Sequence, residues 1–295
     1  MKKAEVFHYN STPAKNHPVY AITIPELLRY IPQRLHTPHR VSFYALHLYT
    51  GGSGIHQVDF NNIAIKRGRM VFVSKGWVHN FDPAENYDGY ALMFTEEFFC
   101  RTDFYRQFLQ KMTLFSDPLQ PPYFDTDDRF EELRMLFERI IAEQKEPMHN
   151  LQELMLHNYL VNMIVIADIK YKPLQKRLAS PVNNLLTLRF KNLADKHLHE
   201  QWPVAYYAQQ LNVTRRALES AFAKTERSTP KKWLMDRLML EIKRRLTYED
   251  LVIKEIADQL GFKEMTNFVK FFKKSTGTTP SAFRRSLNTP VNTGQ

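Results

Sequence analysis

Three groups of side chains in this 295-residue sequence have the types and spacing to do chemistry. In "KEMTNFVKFFKKSTG" (263–277), Phe268 and Phe272 fall four apart on one side of a helix-period run, and Glu264, Thr266, Asn267, Lys270, Lys273 and Lys274 fall on the other. In "TRRALESAFAKTER" (214–227), Leu218 and Phe222 take the inner places, and Arg215, Arg216, Glu219, Ser220 and Lys224 the outer ones. Apolar residues at i and i+4 anchor a helix on a core. Arginine, asparagine and glutamate on the opposite face can address base edges, and lysine mainly meets phosphate. The third group is His36, His39, His47, His56 and His79, whose ring nitrogens could converge on a metal or hydrogen-bond inside a fold.

The first two groups are copies of one unit. "VAYYAQQL" (204–211) aligns with "IKEIADQL" (253–260), so that Ala208, Gln210 and Leu211 match Ala257, Gln259 and Leu260 at an offset of 49. After one extra residue at the second turn the offset is 50: Leu218 matches Phe268, Phe222 matches Phe272, Lys224 matches Lys274 and Pro230 matches Pro280. Each copy reads as helix, tight turn, helix, with Gly261 at a turn that needs a positive φ. One copy alone would be an amphipathic helix with a solvated basic face. Two copies predict helix-turn-helix units whose second helices enter a major groove. Between them, Pro230 opens a run in which Trp233, Leu234, Leu238, Ile242 and Leu246 keep a helical stripe. About 17 helical residues span roughly 25 Å, which sets the two recognition helices about one DNA turn, roughly 34 Å, apart.

Charge supports that reading. Residues 181–295 hold 20 Lys and Arg against 11 Asp and Glu, whereas residues 1–180 hold 21 against 20. Of the chain's net +10, +9 lies in the last 115 residues, which implies a polyanionic partner, double-stranded DNA. A membrane surface fits less well, because the basic helices commit their apolar residues to a core. No uncharged apolar run approaches the roughly 18 residues of a membrane span, the N-terminal segment lacks the apolar stretch of a signal peptide, and the lone Cys100 cannot form an internal disulfide. The chain is expected to be soluble and cytoplasmic. No glycine-rich phosphate loop or nucleophile elbow is present, so no enzyme activity is expected.

The first half has a different texture. "VSFYALHLYT", "GIHQVDF", "NNIAIKRG", "MVFVSKG" and "YDGYALMF" recur about every ten residues between Gly and Asn turns, the rhythm of an antiparallel barrel or sandwich. Val71 and Val73 alternating with Phe72 predict a strand buried on both faces. From Asp127 the period turns helical: Phe130, Leu133, Leu136, Phe137, Ile140 and Ile141 share a stripe, with Asp127 or Asp128 as N-cap and Pro147 as terminator. A second helix carries Leu151, Leu154, Met155, Asn158, Tyr159, Asn162, Met163 and Ile166. It is apolar round most of its circumference, so it packs on two neighbours, of which one is either its copy in a second subunit or another part of the chain. The prolines and cations of "KYKPLQKRLASP" mark a linker.

Residues 185–286 resemble the DNA-binding domain of AraC/XylS-type bacterial transcription regulators, carried by "AQQLNVTRRALESAFAK" and "IKEIADQLGFKEMTNFVKFFKKSTGTTPSAFR". Ser220 stands where that family usually has arginine, and Arg227 where it often has glycine. Residues 20–170 resemble its cupin-like half through "HLYTGGSGIHQVDFNNIAIKRGRMVFVSKGWVHNF". The resemblance implies an α+β two-domain fold. A cupin-like β-barrel with two helices (1–170) is joined by a linker (171–183) to an all-α double helix-turn-helix domain (184–287), with units at about 203–225 and 252–276. It also implies a sequence-specific regulator, an activator by default, that forms homodimers, engages RNA polymerase and answers a small-molecule effector. His39, Tyr44, Trp77 and His79 are the expected pocket residues, and Met155, Tyr159 and Met163 the expected dimer contacts. The rival class is a metal-dependent cupin enzyme fused to a DNA-binding domain. Against it, the His-x-His pair and following glutamate of a metal cupin are missing, so no metal or other cofactor is expected.

Overall fold

A computed structural model describes residues 5–13, 17–31, 35–83, 86–112, 114–115, 117–175 and 181–288. The chain divides into two compact units, Ala4–Arg177 and Leu178–Gln295. Among the described residues no helix is long and apolar enough to cross a membrane.

The first unit is built on two five-stranded sheets, with three short helices, α1 (Ile24–Tyr30), α2 (Glu96–Phe99) and α3 (Asp103–Lys111), between or after their strands. One runs in the order β1 (Val6–Phe7), β3 (His39–Val41), β8 (Val78–Phe81), β5 (Ile55–Val58), β6 (Asn61–Ala64). The other runs β10 (Tyr123–Asp125), β7 (Arg69–Val73), β4 (Tyr44–Gly52), β9 (Tyr87–Phe94), β2 (Val19–Thr23). The expected strands are present, and β7 is buried on both faces from Met70 to Val73. β2, β3, β8 and β10 had no separate signal in the sequence; each is short and draws its stability from its neighbours. Where β4 pairs with β9 the register slips between Tyr49 and Gly51. Opposite that slip, Gly89 adopts φ +143, and a Cβ there would lie 2.1 Å from the Leu48 carbonyl oxygen. The strands can approach this closely only because that position is glycine.

Helices cover one side of this barrel. In α4 (Phe130–Glu143), Phe130, Leu133, Phe137 and Ile140 are buried, while Leu136 and Ile141 are partly covered. Its start differs from expectation: a 3-10 turn over Asp127–Arg129 precedes it, and neither aspartate caps it, since Asp127 sits at φ 45. It ends at Glu143, before Pro147 is reached. In α5 (Gln152–Gln175) the inward stripe is Leu156, Leu160, Met163, Ile164, Ala167 and Tyr171, all at most 2% exposed. Met163 therefore belongs to the chain's own core and cannot meet a second subunit, which corrects the expected dimer contact. Tyr159 and Met155 flank the stripe, half-buried. The outward stripe is instead Leu151, Leu154 and Ile169, each more than half exposed. A helix apolar nearly all round gives a weak directional signal, and a one-position error turns the stripe by 100°.

The two units divide within the stretch expected to be linker, and helix occupies both ends of that stretch. α5 continues through Pro173 to Gln175, held on the barrel by Tyr171, whose ring meets Phe72 at 5.0 Å and whose hydroxyl donates to the Pro121 carbonyl at 3.0 Å. The next helix, α6 (Pro181–Lys196), begins inside the stretch expected to be linker. Residues 176–180 lie outside the described residues.

The second unit is entirely helical, and its repeat is geometric as well as sequential. α7 (Val204–Gln210) and α10 (Ile253–Gln259) are both 7 residues long; α8 (Arg215–Glu226) and α11 (Met265–Thr276) are both 12. The turns close alike: Val213 N–H donates to Ala208 O, and Phe262 N–H to Ala257 O, each at 3.0 Å. Pro230 and Pro280 then open α9 (Pro230–Tyr248) and α12 (Pro280–Asn288). α9 serves both cores. Near its start Trp233 packs on Phe190 of α6, which also meets Tyr207 and Phe222 at 5.3 and 5.0 Å. Farther along, Leu238, Met239, Ile242 and Leu246 join Ile256, Leu260, Phe268 and Phe272. Its 19 residues extend about 28 Å.

Candidate functional site

The inner and outer faces of the two recognition-type helices separate cleanly. Leu218 and Phe222 in α8, and Phe268 and Phe272 in α11, are each 0% exposed. Fully burying such side chains contributes roughly 1.5–3 kcal/mol apiece, so the helices cannot roll without large cost. That fixes which residues face outward. Arg215, Arg216, Ser220 and Lys224 are exposed on α8, with Glu219 half-buried; Lys270, Lys273 and Lys274 are exposed on α11, with Glu264, Thr266 and Asn267 at its first turn.

The cations differ in what they already hold. Arg215 Nε donates to Glu219 Oε1 at 2.9 Å, one turn along the helix. Such an exposed i,i+4 pair contributes about 0.3–0.5 kcal/mol and opens easily. Arg216, Lys224, Lys270, Lys273 and Lys274 make no ion pair among the described residues. The second helix-turn-helix thus presents three free ammonium groups on α11, and the first presents one guanidinium and one ammonium on α8. Caps differ too. Thr214 Oγ1 accepts from Ala217 N at 3.1 Å to start α8, whereas Glu264 precedes α11 without a side-chain cap. Gly277 ends α11 at φ 77 and Arg227 ends α8 in the same left-handed region at φ 50.

Of the four expected pocket residues, the structure brings only two together. His39 and His79 are register partners on β3 and β8, with ring centroids 4.3 Å apart. Tyr44 instead stacks on Phe94 at 5.2 Å and meets Phe115 at 5.0 Å. It lies on the opposite face of β4 from His47, because successive strand residues alternate. Trp77 packs on Phe72, which meets the same Phe115. Tyr44 and Trp77 are therefore removed from the candidate pocket.

The barrel interior holds His47, His56 and His79 in their place. One nitrogen from each lies within 4.8 Å of the other two, and all three residues are buried. Tyr49 Oη is 2.8 Å from His56 Nδ1, and His56 Nε2 is 2.9 Å from His79 Nδ1. Burial lowers the His47 pKa to about 3 and holds His56 and His79 well below the ordinary imidazole value, so all three are neutral at pH 7. The argument against a metal from the missing His-x-His pair is thereby corrected: convergence arises across strands. His47 comes from β4, and His56 and His79 come from the facing sheet. His36 stays apart, its Nδ1 3.2 Å from the Phe81 carbonyl oxygen. The sequence singled out all three among its five candidate histidines, but not which of the five converge.

Residues 27–153 match the AraC-like ligand binding domain, and residues 207–286 match a helix-turn-helix domain. The arabinose operon regulatory protein of Salmonella typhimurium is 24% identical over 91% of this chain and 92% of its own length. The transcriptional activator RhaS of Yersinia pestis is 21% identical over 87% of this chain and 92% of its own. The raffinose operon transcriptional regulatory protein RafR of Pediococcus pentosaceus is 25% identical over 44% of this chain, a match spanning half of that protein. With a two-sheet unit matching the ligand-binding domain, followed by paired helix-turn-helix units, the chain belongs to the AraC/XylS-type transcription regulators.

Proposed function

We infer that this regulator binds double-stranded DNA through both helix-turn-helix units, α8 and α11 entering successive major-groove segments, and activates transcription in response to a small effector. The observation that carries this reading is the shared plan of the two helices: inner residues fully buried, outer cations without an ion pair among the described residues apart from Arg215, and one 19-residue helix packed against both cores. Asn267, Thr266 and Glu264 sit at the first turn of α11, the part of a recognition helix that addresses base edges. In α8 that task falls to Arg216, with Arg215 once its bond to Glu219 opens. Activation is supported by RhaS, which is named as an activator, and contact with RNA polymerase is proposed along with it. The match of residues 27–153 to the AraC-like ligand binding domain supports a small-molecule effector.

The barrel unit is the sensor, and the homodimer forms through the exposed Leu154 and Ile169 of α5 and Leu151 just before it, with the half-buried Met155 and Tyr159 beside them. An effector that favours one arrangement of the dimer on DNA shifts the population toward it. A cytoplasmic location follows from a DNA target, and no catalytic role is assigned. The test is binding of the full chain to promoter fragments from its own genome. Selective retention of a few fragments over bulk DNA supports the reading; equal, weak retention of all of them contradicts it.

A further inference from the structure

The three imidazoles of the barrel interior come from three strands and from both sheets, and they are not packed as inert core. His47, His56 and His79 are 2%, 0% and 4% exposed. Among the described residues, the buried His47 Nδ1 has no hydrogen-bond partner. An orphaned buried polar atom costs about 1–3 kcal/mol, which a fold tolerates where the atom has a further use. Next to it, His56 Nε2 and His79 Nδ1 point at each other across 2.9 Å and can share only one hydrogen. His56 is also oriented from behind, its Nδ1 held 2.8 Å from the Tyr49 hydroxyl, which leaves Nε2 directed into the cluster. An imidazole fixed through one nitrogen while the other faces two further imidazoles is the arrangement of a metal ligand with its supporting partner.

We propose that His47, His56 and His79 bind one divalent first-row transition cation, of the zinc, cobalt or nickel kind, inside the barrel. An all-imidazole set favours such ions over magnesium or calcium, which demand oxygen ligands. Three histidines leave a fourth position for water, hydroxide or a small anion. Metal–nitrogen bonds of about 2.0–2.1 Å put ligand nitrogens roughly 3.3 Å apart in a tetrahedral site. The 2.9 Å pair therefore opens by a few tenths of an ångström, and the third nitrogen, within 4.8 Å, moves in. The bound ion would tie β4 of one sheet to β5 and β8 of the other. It gives the sensor unit a ligand class, and only its regulatory meaning rests on the reading of the chain as a DNA-binding regulator.

The experiment uses the full chain stripped with chelator and titrated with Co²⁺, followed by visible absorption, and with Zn²⁺, followed by calorimetry. One cation per chain is expected, with a rise in the unfolding temperature, since an ion bound only by the folded state stabilises it. His47→Gln and His79→Gln are expected to weaken binding by about 100-fold or more, and Tyr49→Phe, which removes only the supporting hydroxyl, by about 10–100-fold. His149→Gln, at a half-exposed surface histidine, should change nothing. Should a histidine variant fail to fold, the Tyr49→Phe titration and X-ray absorption of the wild-type cobalt form, expected to show a three-imidazole shell, decide the matter. Absence of binding at micromolar metal overturns the proposal. So does binding that His47→Gln, His79→Gln and Tyr49→Phe leave unchanged, because the ion then sits on the surface. A chain that takes the ion yet ignores DNA keeps this site and loses the regulator reading.

Discussion

Replacing Lys270, Lys273 and Lys274 together by alanine removes three exposed, unpaired charges from the outer face of α11 while leaving Phe268 and Phe272 in place. Because none of the three side chains is buried, the variant should keep its stability to within about 0.5 kcal/mol, and unfolding curves check this first. If each lysine meets one phosphate, each contributes about 0.9 to the slope of log affinity against log salt, so the triple variant loses about 2.7. Between 50 and 200 mM salt, a fourfold change, wild-type affinity should therefore fall about 40-fold more than that of the variant. The assay is fluorescence anisotropy of a labelled target duplex over that range. Equal slopes for the two proteins would refute the assignment of this face to the groove, even if the affinities differed.

Asn267→Ala should act on sequence rather than salt: about 1–3 kcal/mol lost at one base pair, with discrimination there relaxed and the salt slope kept; selection from a randomised duplex pool reads this. Gly261→Ala should destabilise the second unit by about 3 kcal/mol, from a left-handed φ together with overpacking. Its new Cβ would lie 2.0 Å from the His199 carbonyl oxygen, and denaturant titration would contradict the argument if stability were unchanged. Arg227→Gly should stabilise the first helix-turn-helix of the helical unit by about 0.5–1 kcal/mol, since arginine is a poor occupant of the left-handed cap that ends α8; a lower unfolding temperature would be the contrary result. Leu154→Lys with Ile169→Lys should leave the fold intact and shift dimer to monomer in light scattering, and an unchanged dimer would exclude that face of α5.

Legibility in the sequence tracked how local each determinant is. The offsets of 49 and 50 reappear as helices of equal length and as identical turn bonds, because each helix-turn-helix unit is set by short-range spacing and a few inner residues such as Ala208, Ala257, Leu218 and Phe268. The outer faces were legible for the same reason. α6 was not, because Phe190 becomes a core residue only when Tyr207, Phe222 and Trp233 surround it. Nor was the inward face of α5, where Met163 looked no different from its apolar neighbours. The histidine cluster depends on register: Val58 pairs with His79 and His56 with Phe81, so that His56 and His79 meet on a diagonal, and His47 arrives from the facing sheet. No spacing within one strand encodes that. Tyr44 was misplaced for the same reason, since the face a strand residue takes is fixed only when its pairing is known, and Trp77 lies in the turn before β8, where no strand alternation applies.

The central claim is that two groove-entering helices on one chain read adjacent segments of a duplex, and hydroxyl-radical footprinting of the full chain on a target fragment tests it most directly. The account predicts two protected windows per chain on one face of the DNA, about 10 base pairs apart, with the triple-lysine variant erasing one window and Arg216→Ala weakening the other. A single window that both variants weaken alike, or protection without helical phasing, would contradict it.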